Sequence, residues 1–81
     1  MKTDEEIRSD IRDVLVKLRK ENGLTQEEVA VVVEKKPTTI ASWEQGLSLP
    51  NVQTLYRLAE YYHKSLEYMY GEEKEEKKEG K

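Results

Sequence analysis

The chain contains no cysteine, which excludes disulfides, thiolate zinc sites and thiol nucleophiles together. Its single histidine, His63, has no second imidazole to share a metal with, and a helix-joint role suits it better. No apolar run approaches the roughly 20 residues that cross a bilayer, and no charged-then-apolar leader precedes the patterned segments. A cytoplasmic protein without a membrane anchor is therefore expected. Strand-like alternation and internal repeats are lacking too. Positive charge is scarce: the formal net charge is −3. Part of that acidity sits in the last ten residues, which carry five Glu and four Lys; positions 1–70 still hold ten basic and twelve acidic residues. At 81 residues and 36% apolar content, one small helical core can form, but no interior large enough for a cofactor or a deep catalytic cleft. With no nucleophile–base pair, metal cluster or phosphate-cradling loop in evidence, neither an enzyme nor a cofactor is expected.

What is present is helical punctuation. Thr3 and Glu6 are spaced as a capping box, in which the Thr hydroxyl accepts from a free backbone N–H and the Glu reaches back to the cap's own N–H. Asp4, Glu5 and Glu6 suit the positive end of the helix that follows. Ile7, Ile11, Val14, Leu15 and Leu18 form its apolar face, and Asn22-Gly23 closes it. Thr25 and Glu28 repeat the capping box ahead of a stripe of Leu24, Val29, Ala30 and Val33, predicting a helix over 26–33. A third pattern starts at Pro37, whose missing N–H costs nothing in a first turn, carries Ile40 and Trp43 inward, and stops at Gly46. Leu47-Ser48-Leu49-Pro50 reads as an extended connector. Asn51 then caps a stripe of Val52, Leu55, Leu58, Ala59 and Tyr62. Ser65 caps a last short helix with Leu66, Tyr68, Met69 and Tyr70, ended by Gly71. From Glu72 to Lys81 only Glu, Lys and Gly occur, and that tail is expected to be disordered or frayed. Two short helices with a joint of only a few residues make a helix-turn-helix, which lets the second helix project into a DNA major groove.

The segments L-R-K-E-N-G-L-T-Q-E-E-V-A (18–30), T-I-A-S-W-E-Q-G (39–46), L-P-N-V-Q-T-L-Y-R-L-A (49–59) and S-L-E-Y-M-Y-G (65–71) resemble the Cro/repressor-type helix-turn-helix family, also described as lambda-repressor-like. The resemblance covers about three quarters of the chain, in the family's order and at its spacings. It implies an all-α, five-helix orthogonal bundle over residues 1–71. It also implies a sequence-specific transcriptional regulator: a small dimeric repressor of phage or mobile-element type on a palindromic operator of double-stranded DNA.

The same resemblance assigns roles to residues. Gln26, at the first turn of the second helix, supports a phosphate and braces the recognition helix, since its amide has two donors and an acceptor. Lys36, Pro37, Thr38, Thr39 and Ser42 occupy the front of the third helix, where family side chains reach base edges and flanking phosphates. Thr38 has a second reading, as that helix's cap. Lys35 and Gln45 are phosphate candidates. Arg19 and Glu44 stand where the family places an ion pair that fixes the recognition helix against the first helix. Trp43 reads as core. Leu66, Tyr68 and Tyr70 fall where family dimers meet, and tyrosine suits interfaces because it buries area while keeping a polar tip.

Three departures matter. The family usually has Gly-Val in the turn where this chain has Glu34-Lys35, and again where it has His63-Lys64. A left-handed backbone at Glu34 costs about 1 kcal/mol relative to Gly, so that turn is expected to be a residue longer, wound differently, or strained. Val31 and Val32 fill positions the family commonly makes polar. Together with the acidic balance, the valines keep open another class of function: a protein-interaction module on the same scaffold, such as an antitoxin or antirepressor subunit.

Overall fold

The computed structural model describes residues 1–72, and within them every regular element is an α-helix. The helices are α1 (Asp4–Glu21), α2 (Gln26–Val33), α3 (Pro37–Glu44), α4 (Val52–Tyr62) and α5 (Leu66–Met69). The expected disordered tail, 72–81, lies outside the described residues except for Glu72. Four helix starts are set by the side chains that precede them. Thr3 and Thr25 both form complete capping boxes, Asn51 accepts from the Thr54 N–H, and Ser65 accepts from the Tyr68 N–H. Only α3 begins without a side-chain cap; its first residue is Pro37, and Lys36 stands in the cap position.

All five helices stop the same way. The residue after the last turn adopts a left-handed backbone, and the next N–H returns to a carbonyl five residues back. These closing bonds run from Leu24 to Arg19, Lys35 to Ala30, Leu47 to Ser42, Lys64 to Ala59 and Glu72 to Glu67, at 2.8–3.0 Å. Gly23, Gly46 and Gly71 supply the left-handed residue at three of them, but Glu34 (φ 59°) and His63 (φ 60°) supply it at the other two. The turn between α2 and α3 therefore keeps the length and winding a glycine would give, with the strain borne by Glu34. Glu34→Gly is expected to raise stability by about 1 kcal/mol, less a few tenths for the looser unfolded chain. On a domain this small, a net gain of about 0.7 kcal/mol is a rise of about 3–6 °C in the thermal midpoint. An unchanged or lower midpoint would show that the Glu34 side chain makes good the backbone strain.

The core is assembled from one face of each helix. Ile11, Leu15 and Leu18 of α1 meet Val29, Ala30 and Val33 of α2, Ile40 and Trp43 of α3, Leu55, Leu58, Ala59 and Tyr62 of α4, and Tyr68 and Met69 of α5. Helix α2 packs on α3 and α4, while α1 lies against α3 and α5. Ile7, expected on the inner face of α1, is exposed, because the helix outruns the core by about a turn at its start. Val32 packs against the core; Val31, on the opposite face, is 77% exposed. Burial pushes the Tyr62 phenol up to about 12. Among the described residues no helix is long and apolar enough to cross a membrane.

Candidate nucleic-acid interface

Three helices converge on one carboxylate. Arg19 of α1 donates from Nε to Glu44 Oε2 (2.7 Å) and from Nη2 to Glu44 Oε1 (2.9 Å), a two-pronged pair across 25 residues of sequence. Gln26, the first residue of α2, donates from Nε2 to the same Oε1 at 3.0 Å. The third guanidinium nitrogen, Nη1, donates to the Leu24 carbonyl at 2.9 Å. With side chains 16% and 9% exposed, the pair is nearly enclosed. Burial alone would raise the Glu44 carboxyl, but the bonds from Arg19 and Gln26, and the positive charges of Arg19 and Lys20, outweigh it and hold it below its ordinary value of 4.5. The Glu44 bond correspondingly raises Arg19. This network ties the last turn of α3 to α1 and α2 at once. Trp43 and Ile40, both buried, seat the other side of α3 in the core.

The opposite face of α3 is left outward. Lys35, Lys36, Pro37 and Thr38 are exposed, and Thr39 is half-buried. Thr38 lies inside the first turn and does not cap α3; Lys36 holds the cap position, and its side chain accepts no bond from the first-turn N–H groups. No acidic residue stands in the first turn. An uncapped helix start flanked by two lysines suits an anion. Farther along, Ser42 Oγ lies 2.7 Å from Ser48 Oγ, which pins the connector to the last turn of α3. Sequence reasoning named Ser42 and missed Ser48, since no local pattern links positions six apart across a turn. Gln45, just past the end of α3, is exposed.

The α5 residues divide. Leu66 and Tyr70 are half-buried, whereas Tyr68 is 6% exposed, with the ammonium groups of Lys64 and Lys17 at 4.7 and 5.8 Å from its ring centre. Tyr68 therefore serves the chain's own core. A further feature escaped sequence reasoning: an open groove of about 660 Å³ between the end of α2 and the outer face of α4, lined by Val33, Lys35, Val52, Tyr56, Arg57 and Leu66 among others. Val52 and Tyr56, one helical turn apart, are 61% and 52% exposed.

A helix pair so joined, with the second helix seated by its inner face and bare on its outer one, matches the family model described as Helix-turn-helix over residues 15–69. The chain belongs to the helix-turn-helix family. Similar proteins include a putative multi-protein-binding factor 1 of Yarrowia lipolytica, 35% identical over 52 residues that make up 64% of this chain and 34% of that protein. Multiprotein-bridging factor 1a of Arabidopsis thaliana is 30% identical over 56 residues, 69% of this chain and 39% of that one. Endothelial differentiation-related factor 1 of Homo sapiens is 35% identical over 49 residues, 60% and 33%. The chain thus spans little more than a third of the length of the relatives it matches. No solved structure matches it.

Proposed function

We propose that this helix-turn-helix domain binds double-stranded DNA as a transcriptional regulator, with α3 in the major groove. The observation that carries the reading is the division of α3: its inner face is locked by Trp43, Ile40 and the Arg19–Glu44–Gln26 network, while Lys36, Thr38 and Thr39 stand outward at an uncapped helix start. Side chains held on a rigid backbone read a duplex with little ordering cost. Lys35, Lys36 and Gln45 serve phosphates, while Thr38, Thr39 and Ser42 face base edges, where a threonine methyl meets a thymine methyl and a hydroxyl takes either donor or acceptor role. Action as a small repressor belongs to this reading. So does pairing through Leu66 and Tyr70 about a two-fold axis, which would set two α3 helices one DNA turn apart on a palindromic site.

The experiment is a salt titration of binding to a labelled random-sequence duplex by fluorescence anisotropy. Affinity is expected to fall linearly on a log–log plot, and the Lys35→Gln/Lys36→Gln double variant is expected to shallow the slope by about 1.8, or 0.9 per lost phosphate contact. Absence of binding at low salt, or a slope indifferent to the two lysines, would overturn the reading. The second reading is a protein-docking module. It is favoured by the exposed Val31, Val52 and Tyr56, by the net charge of −3, and by relatives whose names speak of bridging or binding several proteins.

A further inference from the structure

On the first half of α1, two arginines lie ahead of the segment that matches the family, and the helix-turn-helix does not account for them. Arg8 and Arg12 are four residues apart, and Arg19 follows seven later, so all three share one face of α1 and span about 16 Å along it. Arg19 is spoken for by Glu44. Arg8 and Arg12 instead wall a cleft of about 320 Å³ whose far side is Gln45 and Gly46, the residues that end α3; Ser9 and Glu5 complete it.

Arg12 is held in place from behind. Its Nη2 donates to Ser9 Oγ at 3.1 Å and its Nε to Asp13 Oδ1 at 3.3 Å. That leaves Nη1 turned toward Gly46, where a Cβ built on the glycine would sit 3.6 Å from it. Neither this nitrogen nor the guanidinium of Arg8 has a hydrogen-bond or ion-pair partner among the described residues. Gln45, exposed on the other wall, adds an amide that can donate into the same space. Guanidinium donors facing the residues that follow α3 make an anion site at the opposite end of that helix from Lys36 and Thr38.

We infer that the DNA-contacting surface continues past the helix-turn-helix onto α1, where Arg8 and Arg12 with Gln45 grip backbone phosphate flanking the site that α3 enters. The inference rests on the DNA-binding reading above. It also assigns Glu5 a limiting role: its carboxylate at the edge of the cleft repels the phosphate that the arginines draw.

The test compares four proteins in the same anisotropy titration: wild type, Arg8→Gln/Arg12→Gln, Arg8→Lys/Arg12→Lys and Glu5→Gln, each checked by its thermal midpoint. The glutamine pair is expected to shallow the log–log salt slope by about 1 to 2, while the lysine pair, which keeps both charges, leaves it near wild type. Glu5→Gln, which removes a repelling charge while leaving every donor in place, is expected to tighten binding. If wild type binds DNA and the glutamine pair matches its slope, the inference falls alone, as it would were the cleft a seat for an acidic protein surface. If wild type does not bind DNA at all, the DNA reading falls and takes this with it.

Discussion

Glu44→Ala is expected to cost the domain about 3 kcal/mol and to abolish tight DNA binding. The substitution leaves the Arg19 guanidinium charged, 16% exposed and stripped of both its prongs, and removes the acceptor for Gln26. Breaking one side of an enclosed ion pair is far more harmful than the pair is helpful, because the survivor keeps its desolvation without compensation. Glu27, on the exposed side of α2, offers the control: its alanine variant should stay within about 0.5 kcal/mol of wild type. Urea denaturation of the two variants side by side decides the matter, and equal losses would remove the network from its assigned place. The same network has a pH signature. The Glu44 carboxyl is depressed in the folded state, so its contribution is complete above about 4.5 and disappears as the pH falls through the lower folded value. Acid unfolding below pH 4.5 should therefore be blunted in Glu44→Gln, which has no carboxylate to protonate at that position.

Trp43→Ala is expected to be the most damaging single change on α3. The indole is 4% exposed and shares the core with Ile40, Leu18 and Leu58. Truncating a buried aromatic typically costs 3–5 kcal/mol, roughly the whole stability of a domain this small. On a scale of about 4 to 8 °C per kcal/mol, the thermal midpoint should drop by 12 °C or more, followed by circular dichroism because the fluorophore is gone. Trp43→Phe should recover much of the loss. A variant that melts normally yet no longer binds DNA would instead make Trp43 a stacking surface.

Local chemistry made much of the fold legible. Thr3, Thr25, Asn51 and Ser65 announce helix starts because a cap is decided within three or four residues of itself. The ends at Glu34 and His63 were not decidable in that way. A left-handed residue there is held by the return bonds from Lys35 and Lys64 and by the packing of the helices on either side, which outweigh the local preference of Glu and His. Arg19 and Glu44 are 25 positions apart, and only the resemblance to a known motif brought them together on paper. Tyr68 and Tyr70 were indistinguishable because α5 has four residues, too few for a periodicity to mark an inner face. The groove beside Val52 and the cleft beside Arg12 are properties of how helices meet, and no single stretch of sequence carries them.

The shared hold of Arg19 and Gln26 on Glu44 has a mechanical side. Three rods are fastened at one point, so α3 has no hinge of its own on which to swivel. A helix clamped this firmly does not re-aim itself to suit an imperfect match. On the DNA-binding reading, the duplex would do the adapting, and sequences that bend or twist at low cost would gain an advantage at positions no side chain touches.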